Sequence, residues 1–158
     1  MSEVVVSHGT DIYFIDPANP TEAIVMECPT GVSKSGGARN MIEVLCLGSI
    51  DPVTRPGSRT STTYSVPFAL VDTDQGHQRL YELEELGVVV PFAIALAGGT
   101  EAPTVVDGQF EPPTDRTSFI FDAVIEDVSE EISPNDVVRG TLTLRVAQDG
   151  ISRNWKSA

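Results

Sequence analysis

Apolar and polar residues alternate along two adjoining segments in the last third of the chain. The first covers residues 117–132 and the second residues 136–147, with a short turn at Ser133, Pro134 and Asn135 between them. As a strand the first segment would be about 50 Å long, whereas a compact domain of this size is only about 40 Å across. The pattern therefore predicts a long antiparallel hairpin over residues 117–147. It must curve strongly into a barrel wall or reach a neighbouring copy, which favours assembly over a small catalytic pocket.

The alternation changes register once within the first segment. Apolar side chains up to Ile125 share one face, whereas Val128 and Ile132 have the opposite parity. One extra residue at Glu126 or Asp127, a β-bulge, would return all of them to a single face and bend the strand. The second segment predicts a strand with one face on a core and the other on water. Its core residues are Val138, Leu142, Leu144 and Val146, and its polar residues are Arg139, Thr141, Thr143 and Arg145.

Further strands are predicted at residues 10–16, 23–27, 41–47, 60–70 and 88–96. The unbroken apolar run 41–47 is typical of a strand buried on both faces. Segment 60–70 alternates instead, and Pro67 within it marks an edge or a bulge because proline lacks the backbone N–H that a central strand needs. Loops are expected at about residues 28–40, 48–59 and 98–115.

A single helix is predicted at about residues 74–86. Thr73 or Asp74 supplies the N-cap, and Gly87 suits the left-handed residue that ends a helix. The apolar stripe of this helix consists of Leu80, Leu83 and Leu86. The fold class is therefore mainly β with one α-helix, and 158 residues with 41% apolar content fit a single domain over residues 1–158.

Charge narrows the classes of partner. The net charge is −13, so binding of nucleic-acid phosphates, which needs clustered Lys and Arg, is not expected. No apolar run is long enough for a membrane helix, and the first residues lack the pattern of a signal peptide. The two cysteines, Cys28 and Cys46, form no CxxC pair, which favours synthesis in a reducing, intracellular environment.

The charges are unevenly distributed along the predicted loops. The first two loops carry the cations Lys34, Arg39, Arg55 and Arg59, and the third carries the acids Glu101, Asp107, Glu111 and Asp115. Opposite patches on one chain suit head-to-tail self-association. Scattered surface charge that serves solubility remains the alternative for either patch alone.

The search for catalytic or cofactor-binding motifs yields no site. His8 and His77 lack metal-ligand spacing, and His77 is expected to be solvent-exposed on the helix. The glycine-rich run 31–36 is followed by Gly37 and Ala38 where a phosphate-binding loop needs Lys and Ser or Thr, and residues 72–76 fit helix capping better than a calcium loop. We expect no cofactor, metal or enzymatic activity. An enzyme with an unrecognised site and a small β-barrel or sandwich module that binds a ligand remain the alternatives.

The order of these segments resembles the major tail tube proteins of long-tailed, siphovirus-like bacteriophages. The resemblance runs through residues 7–16, 42–51, 54–70, 74–87 and 137–144. It implies a β-sandwich or half-barrel with one flanking helix and a long C-terminal hairpin. It also implies a structural virion protein whose six copies form a ring around a channel. Stacked rings would form the hollow tail tube through which DNA is ejected into the host, and the chain would be the tube module without the immunoglobulin-like domain that some members add.

The resemblance further implies the partners and the location. The chain would bind copies of itself, the tape measure protein, and the tail terminator and tip proteins, while DNA would pass without specific binding and no membrane would be involved. It would be synthesised and assembled in the host cytoplasm and reside in the virion.

Roles for individual residues follow from the polar face of the hairpin and from the charged loops. In a ring, the polar face of the hairpin would face either the lumen or a neighbouring subunit. Candidate channel-lining residues are Asp122, Glu126, Thr141 and Thr143. Candidate contacts between subunits or rings are Lys34, Arg39, Arg55, Arg59, Glu101, Asp107, Arg139 and Arg145. The last two arginines are expected to pair with carboxylates across the hairpin or the subunit seam, which would leave the wall net negative.

Overall fold

A computed structural model of the chain describes residues 4–157, apart from the side chains of Gln148 and Asp149. Residues 1–3 and 158 of the predicted domain lie outside the described residues. The strands are β1 (Asp11–Ile15), β2 (Ala23–Val25), β3 (Ser33–Gly36), β4 (Arg39–Val44), β5 (Val53–Arg59), β6 (Thr62–Ala69), β7 (Val89–Ala95), β8 (Thr104–Val106), β9 (Gln109–Glu111), β10 (Ser118–Glu131) and β11 (Arg139–Asn154), and the helix is α1 (Gln75–Leu86).

The main sheet is antiparallel, with strand order β2-β1-β7-β10-β11-β6-β3. Two further pairs, β4–β5 and β8–β9, lie outside it. This architecture confirms the mainly β fold with one helix.

One face of the sheet and the helix α1 enclose the main core. Alternate residues of the central strands point into it, among them Phe14, Val66, Phe92 and Leu142. On α1, Asp74 is the N-cap and accepts the N–H of His77 at 3.2 Å, and Gly87 has φ 65°, as predicted. Leu80 and Leu83 are buried, but Leu86 is exposed, so the predicted stripe was one residue too wide.

His77 is buried, which contradicts the predicted solvent exposure. It is 1% exposed, and its ring lies 4.9 Å from that of Phe68. The backbone N–H of Val71 donates to Nδ1 at 3.1 Å, so the proton resides on Nε2, which donates to the carbonyl of Glu27 at 2.7 Å. The histidine thus links α1 to the segment after β2. Exposure was predicted because a polar residue near the start of a helix usually faces water, and the local sequence does not reveal the distant Glu27 carbonyl.

The opposite face of the sheet carries a smaller apolar cluster at one side. Tyr13 and Ile15 of β1 and Ala93 and Ala95 of β7 pack there against Phe110 of β9. The β8–β9 pair lies within the segment 98–115, which was predicted to be a loop. Asp107 and Gly108 form its turn, with φ angles of 52° and 75°. Asp-Gly is a typical sequence for a type I′ hairpin turn, so the sequence did contain the signal for this hairpin.

The long hairpin has the predicted bulge. Ile125 pairs with Leu144 and Asp127 pairs with Thr143, so Glu126 is the extra residue, and Val128 packs against the main core. The hairpin is longer than predicted, because β11 continues beyond residue 147. A second irregularity follows Val146, after which residues 151–154 pair with residues 118–121 of β10. Residues 147–150, Ala-Gln-Asp-Gly, lack the apolar alternation of a strand, so the sequence did not predict this continuation.

Two predicted loops also contain strands. Segment 28–40 includes β3 and the start of β4, and segment 48–59 includes β5. The run 41–47, predicted to be buried on both faces, is instead exposed throughout. Hydrophobicity alone does not reveal whether other chain segments cover a strand, and Pro56 and Gly57 made β5 resemble a loop.

Pro67 lies where the sheet has an outer edge, in agreement with its missing N–H. The pairing of β3 with β6 ends at Ser65. The Pro67 carbonyl accepts the N–H of Thr30 at 2.8 Å from the outer side, so the proline nitrogen also faces outward and no bond to β11 is lost.

Candidate assembly surfaces

A two-stranded arm, residues 39–59, projects from one edge of the sheet. Among the described residues its strands β4 and β5 pair only with each other, and all of β4 is exposed. The exposed apolar residues of the arm are Met41, Ile42, Val44, Leu45, Leu47, Ile50 and Val53. An apolar patch of this kind marks an interaction surface.

Three of the predicted contact cations lie on the arm. Arg39 and Arg59 are directly opposite each other at its root, and Arg55 is opposite Ile42. Within the described part of the chain, no carboxylate forms a salt bridge with these arginines. Like charges that face each other across two strands repel. An acidic group from outside the chain would therefore stabilise the arm.

The predicted acidic contacts, Glu101 and Asp107, lie toward the other edge of the sheet. Their segment packs through Phe110 onto Tyr13 of β1, whereas the arm continues from β3 and β6. Both side chains are exposed. The structure thus separates the cations of the arm and the acids of this segment laterally across the sheet.

Arg116, which was not among the predicted site residues, fixes the acidic segment to β1. Its guanidinium is 1% exposed. It donates to the Glu101 carbonyl at 2.8 Å, to Asp11 Oδ2 at 3.1 Å and to the Tyr13 hydroxyl at 2.9 Å. Burial opposes the charge, but the bonds to Asp11 and Tyr13 outweigh it and raise the pKa of Arg116. The sequence did contain one indication of this role, because Arg116 is the first basic residue after a segment that has acids and no base.

Asp115 closes the same segment from the other side. One of its oxygens accepts the N–H groups of Thr100 at 3.0 Å and Glu101 at 3.1 Å. Burial acts to raise the pKa of Asp115, but these two bonds and the nearby Arg116 together lower it below its usual value. These bonds anchor the loop that carries Glu101 to the segment just before β10.

A groove of about 820 Å³ opens at the end of the main core, where β7 and β11 end and β1 and β10 begin. Its apolar lining includes Val5, Val6, Ile12, Tyr64, Ile94, Leu96 and Phe119. Lys34, the fourth predicted contact cation, lies here opposite Tyr64 on β6, and Arg153 also lines the groove. Burial raises the pKa of Tyr64, and the charge of Arg153 partly offsets this. This groove was not predicted from the sequence, because its lining comes from segments far apart along the chain.

The candidate channel-lining residues share the sheet face opposite the main core. Asp122 lies between the core residues Phe121 and Ala123 of β10, and Thr141 and Thr143 alternate with the core residues of β11. All three are half-buried. Glu126, at the bulge, pairs with Arg145 on the facing strand at 2.9 Å.

The two hairpin arginines differ in their partners. Arg145 pairs across the hairpin with Glu126, as one of the predicted arrangements required. Arg139 instead pairs at 3.3 Å with Asp136, which lies three residues earlier in the chain, next to the turn. The bond from Arg139 is the main reason that the pKa of Asp136 is lowered. Within the described chain Arg139 therefore pairs next to the turn and not across the hairpin, because the turn places Asp136 nearer. A partner across the subunit seam, the other predicted arrangement, stays a prediction.

Among residues 4–157, no helix is long and apolar enough to cross a membrane. In the same range no group of three or more His, Cys, Asp or Glu side chains is arranged to hold a metal ion.

Comparison with known proteins identifies the family. The family model described as phage tail tube, TTP, lambda-like matches residues 3–156. The chain belongs to the lambda-like phage tail tube family. It is also 31% identical over 157 residues to structural protein 3 of Pseudomonas phage PAJU2, a match that covers 95% of this chain and 94% of that protein. The tail tube family and fold are those of a structural virion protein that forms the phage tail tube, which favours this function over the ligand-binding module.

Solved structures share the fold at low sequence identity. The tail tube protein of SPP1, from a hybrid solid-state NMR and cryo-EM structure, has a TM-score of 0.71 and 14% identity, with 98% of this chain and 81% of that one covered. A chain of the six-fold symmetrised baseplate of the anti-feeding prophage has a TM-score of 0.70 and 13% identity, with 98% of both chains covered. These similarities establish the fold, β-sheet, helix and long hairpin together, as that of tail tube proteins.

Proposed function

We propose that this tail tube protein forms six-membered rings that stack head to tail into a hollow tube, through which DNA is ejected into the host. Six-fold symmetry was applied to the anti-feeding prophage baseplate, one of whose chains shares this fold. Proteins of the tail terminator, the tip and the tape measure are the expected further partners. The protein acts as structure and not as a catalyst, and after synthesis in the host cytoplasm it resides in the virion tail.

The observation that carries the proposal is the pair of open edges on the main sheet. Within the described residues, β2 and β3 are the two outermost strands and neither has a partner on its outer side. Open edges invite pairing with another chain. When the β3 edge of one copy meets the β2 edge of the next, every copy uses two different surfaces. Such a heterologous contact forms a closed ring when the rotation from one copy to the next divides a full turn, as a six-fold arrangement requires.

Charge supports the same arrangement. The contact cations Arg39, Arg55 and Arg59 lie beside the β3 edge, and the acids Glu101 and Asp107 lie toward the β2 edge. Ring formation would bring the cations of one copy near the acids of the next. This contact would relieve the repulsion between the facing arginines at the root of the arm.

The sheet face opposite the main core is proposed to line the lumen. Small polar groups such as Asp122, Thr141 and Thr143 suit a water-filled channel because water satisfies their hydrogen bonds. The two arginines of β11 on this face are already paired, Arg139 with Asp136 and Arg145 with Glu126. The wall would therefore stay net negative and repel DNA phosphates, so that DNA passes without being held.

Negative-stain electron microscopy and mass measurement of the concentrated protein test the assembly. We expect six-membered rings and hollow tubes in the wild type. Arg55→Glu should impair tube formation and leave the unfolding curve unchanged, because an exposed charge adds little to stability. Glu85→Lys, a reversal of equal size on the exposed face of α1, is the matched control and should assemble normally. Monomers or two-fold dimers alone would contradict the proposal, and a density map with a positively charged lumen would contradict the assignment of the channel face.

A further inference from the structure

The tip of the arm has an unusual surface for an isolated chain. Leu45, Leu47 and Ile50 are exposed there, and the last two are almost completely so. Two acids, Glu43 and Asp51, accompany them. The tip is therefore an apolar knob with negative charge, whereas the cations of the arm lie nearer its root.

The groove at the end of the main core has the complementary surface. Its lining is largely apolar and includes the cations Lys34 and Arg153, but among the described lining residues there is no Asp or Glu. No described carboxylate forms a salt bridge with either cation. The net charge of the chain is −13, so a groove whose described lining carries cations and no carboxylate differs in sign from the protein as a whole.

The arm and the groove open at the same end of the sheet. Gly36 of β3 pairs with Thr62 of β6 at this end, and the arm continues from there. The groove is lined by residues at the matching ends of β7 and β11, Leu96 and Arg153. All of β4 is exposed, so the arm does not lie against its own domain. A second copy displaced sideways at the same level would present its groove at the height of this arm.

We propose that the groove of each copy receives the arm tip, residues 45–51, of a second copy. Leu47 and Ile50 contact the apolar lining, and the acids beside them face Lys34 and Arg153. The inference rests on the proposed ring assembly and names the surface through which adjacent copies lock. Burial of the tip removes the exposed apolar patch, and pairing supplies the acids that the groove lacks.

Cross-linking through the native thiol of Cys46, at the arm tip, tests the contact directly. Cys28 is first replaced by Ser, and Val6→Cys then places a second thiol in the groove. Mild oxidation of assembled tubes should give covalent oligomers up to the ring size, and none from dilute monomer. Val137→Cys, an exposed position at the hairpin-turn end of the sheet, is the matched control and should stay uncross-linked.

A charge exchange provides the second test. Asp51→Arg should raise the protein concentration needed for tube formation at least about tenfold, since like charges would then meet in the groove. Arg153→Asp added to that variant should restore most of the loss, while Glu85→Arg should have no effect. Cross-links within one chain, cross-linking that is equal in the control, or no rescue in the double variant would overturn the groove assignment while wild-type tubes still form. If the wild type forms no tubes, the proposed function itself fails.

Discussion

Replacement of Arg116 by Met should destabilise the isolated protein more than any single surface change. The guanidinium is buried and binds Asp11, Tyr13 and the Glu101 carbonyl, which joins the acidic segment to β1. Methionine fills much of the same volume but offers no donor. The variant therefore isolates the loss of the polar contacts from the loss of packing.

The expected magnitude follows from what each partner loses. The Asp11 side chain is 47% exposed, so water can replace the guanidinium there. The bond to the Tyr13 hydroxyl is buried and the bond to the Glu101 carbonyl is partly buried. Each acceptor would lose its partner at a cost of about 1–3 kcal/mol, together about 2–6 kcal/mol, with the carbonyl at the lower end. Removal of a buried charge recovers part of this cost. We expect a net loss of about 2–4 kcal/mol, a large share of the 5–15 kcal/mol typical of a domain.

Urea unfolding of the monomeric protein at pH 7 measures this loss. Arg116→Lys should give an intermediate value, because an ammonium group keeps the charge but cannot reproduce the three-way geometry of a guanidinium. Asp11→Asn is the matched control and should cost under about 1 kcal/mol, since its carboxylate is half exposed. An unfolding free energy of Arg116→Met within about 0.5 kcal/mol of the wild type would show that these bonds do not stabilise the fold. A control that loses as much stability as Arg116→Met would show the same.

Two further predictions concern stability. Gly140→Ala would place a Cβ 2.5 Å from the ring of Phe68, so the variant should lose about 1–3 kcal/mol of unfolding free energy in urea. Gly48→Ala is the control, because no atom lies within 4 Å of the added group. Equal urea midpoints for the two variants would contradict the predicted clash with Phe68. The pKa of Asp115 is lowered from 3.8 in the folded chain, so its carboxylate stabilises the fold above that pH and the stabilisation is lost as the pH falls through the folded-state pKa. Asp115→Asn should therefore be less stable than the wild type at pH 7 and approach it below pH 3.8, and a difference that is constant with pH would show that the carboxylate charge is not responsible.

Local sequence patterns were enough to predict most strands of the main sheet and the face that each turns to the core. Alternation at residues 60–70, 88–96 and 117–147 placed Val66, Phe92 and Leu142 on the buried side, where the structure has them. The change of parity after Ile125 predicted the bulge at Glu126 or Asp127, and the structure has the extra residue at Glu126. Side-chain alternation and helix capping depend on residues a few positions apart, so the local sequence contains them.

Contacts between distant segments of the chain fix which strands the core covers and which polar groups it encloses. The run 41–47 is apolar enough for burial, yet it forms an exposed arm because no other segment within residues 4–157 packs over it. His77 and Arg116 are buried because their partners, the Glu27 carbonyl and Asp11, are distant in sequence and only the folded sheet brings them within hydrogen-bond distance. The final strand segment, 151–154, likewise exists because β10 offers its backbone groups beyond the irregular stretch. Contacts between distant segments depend on the path of the whole chain, which local periodicity does not encode.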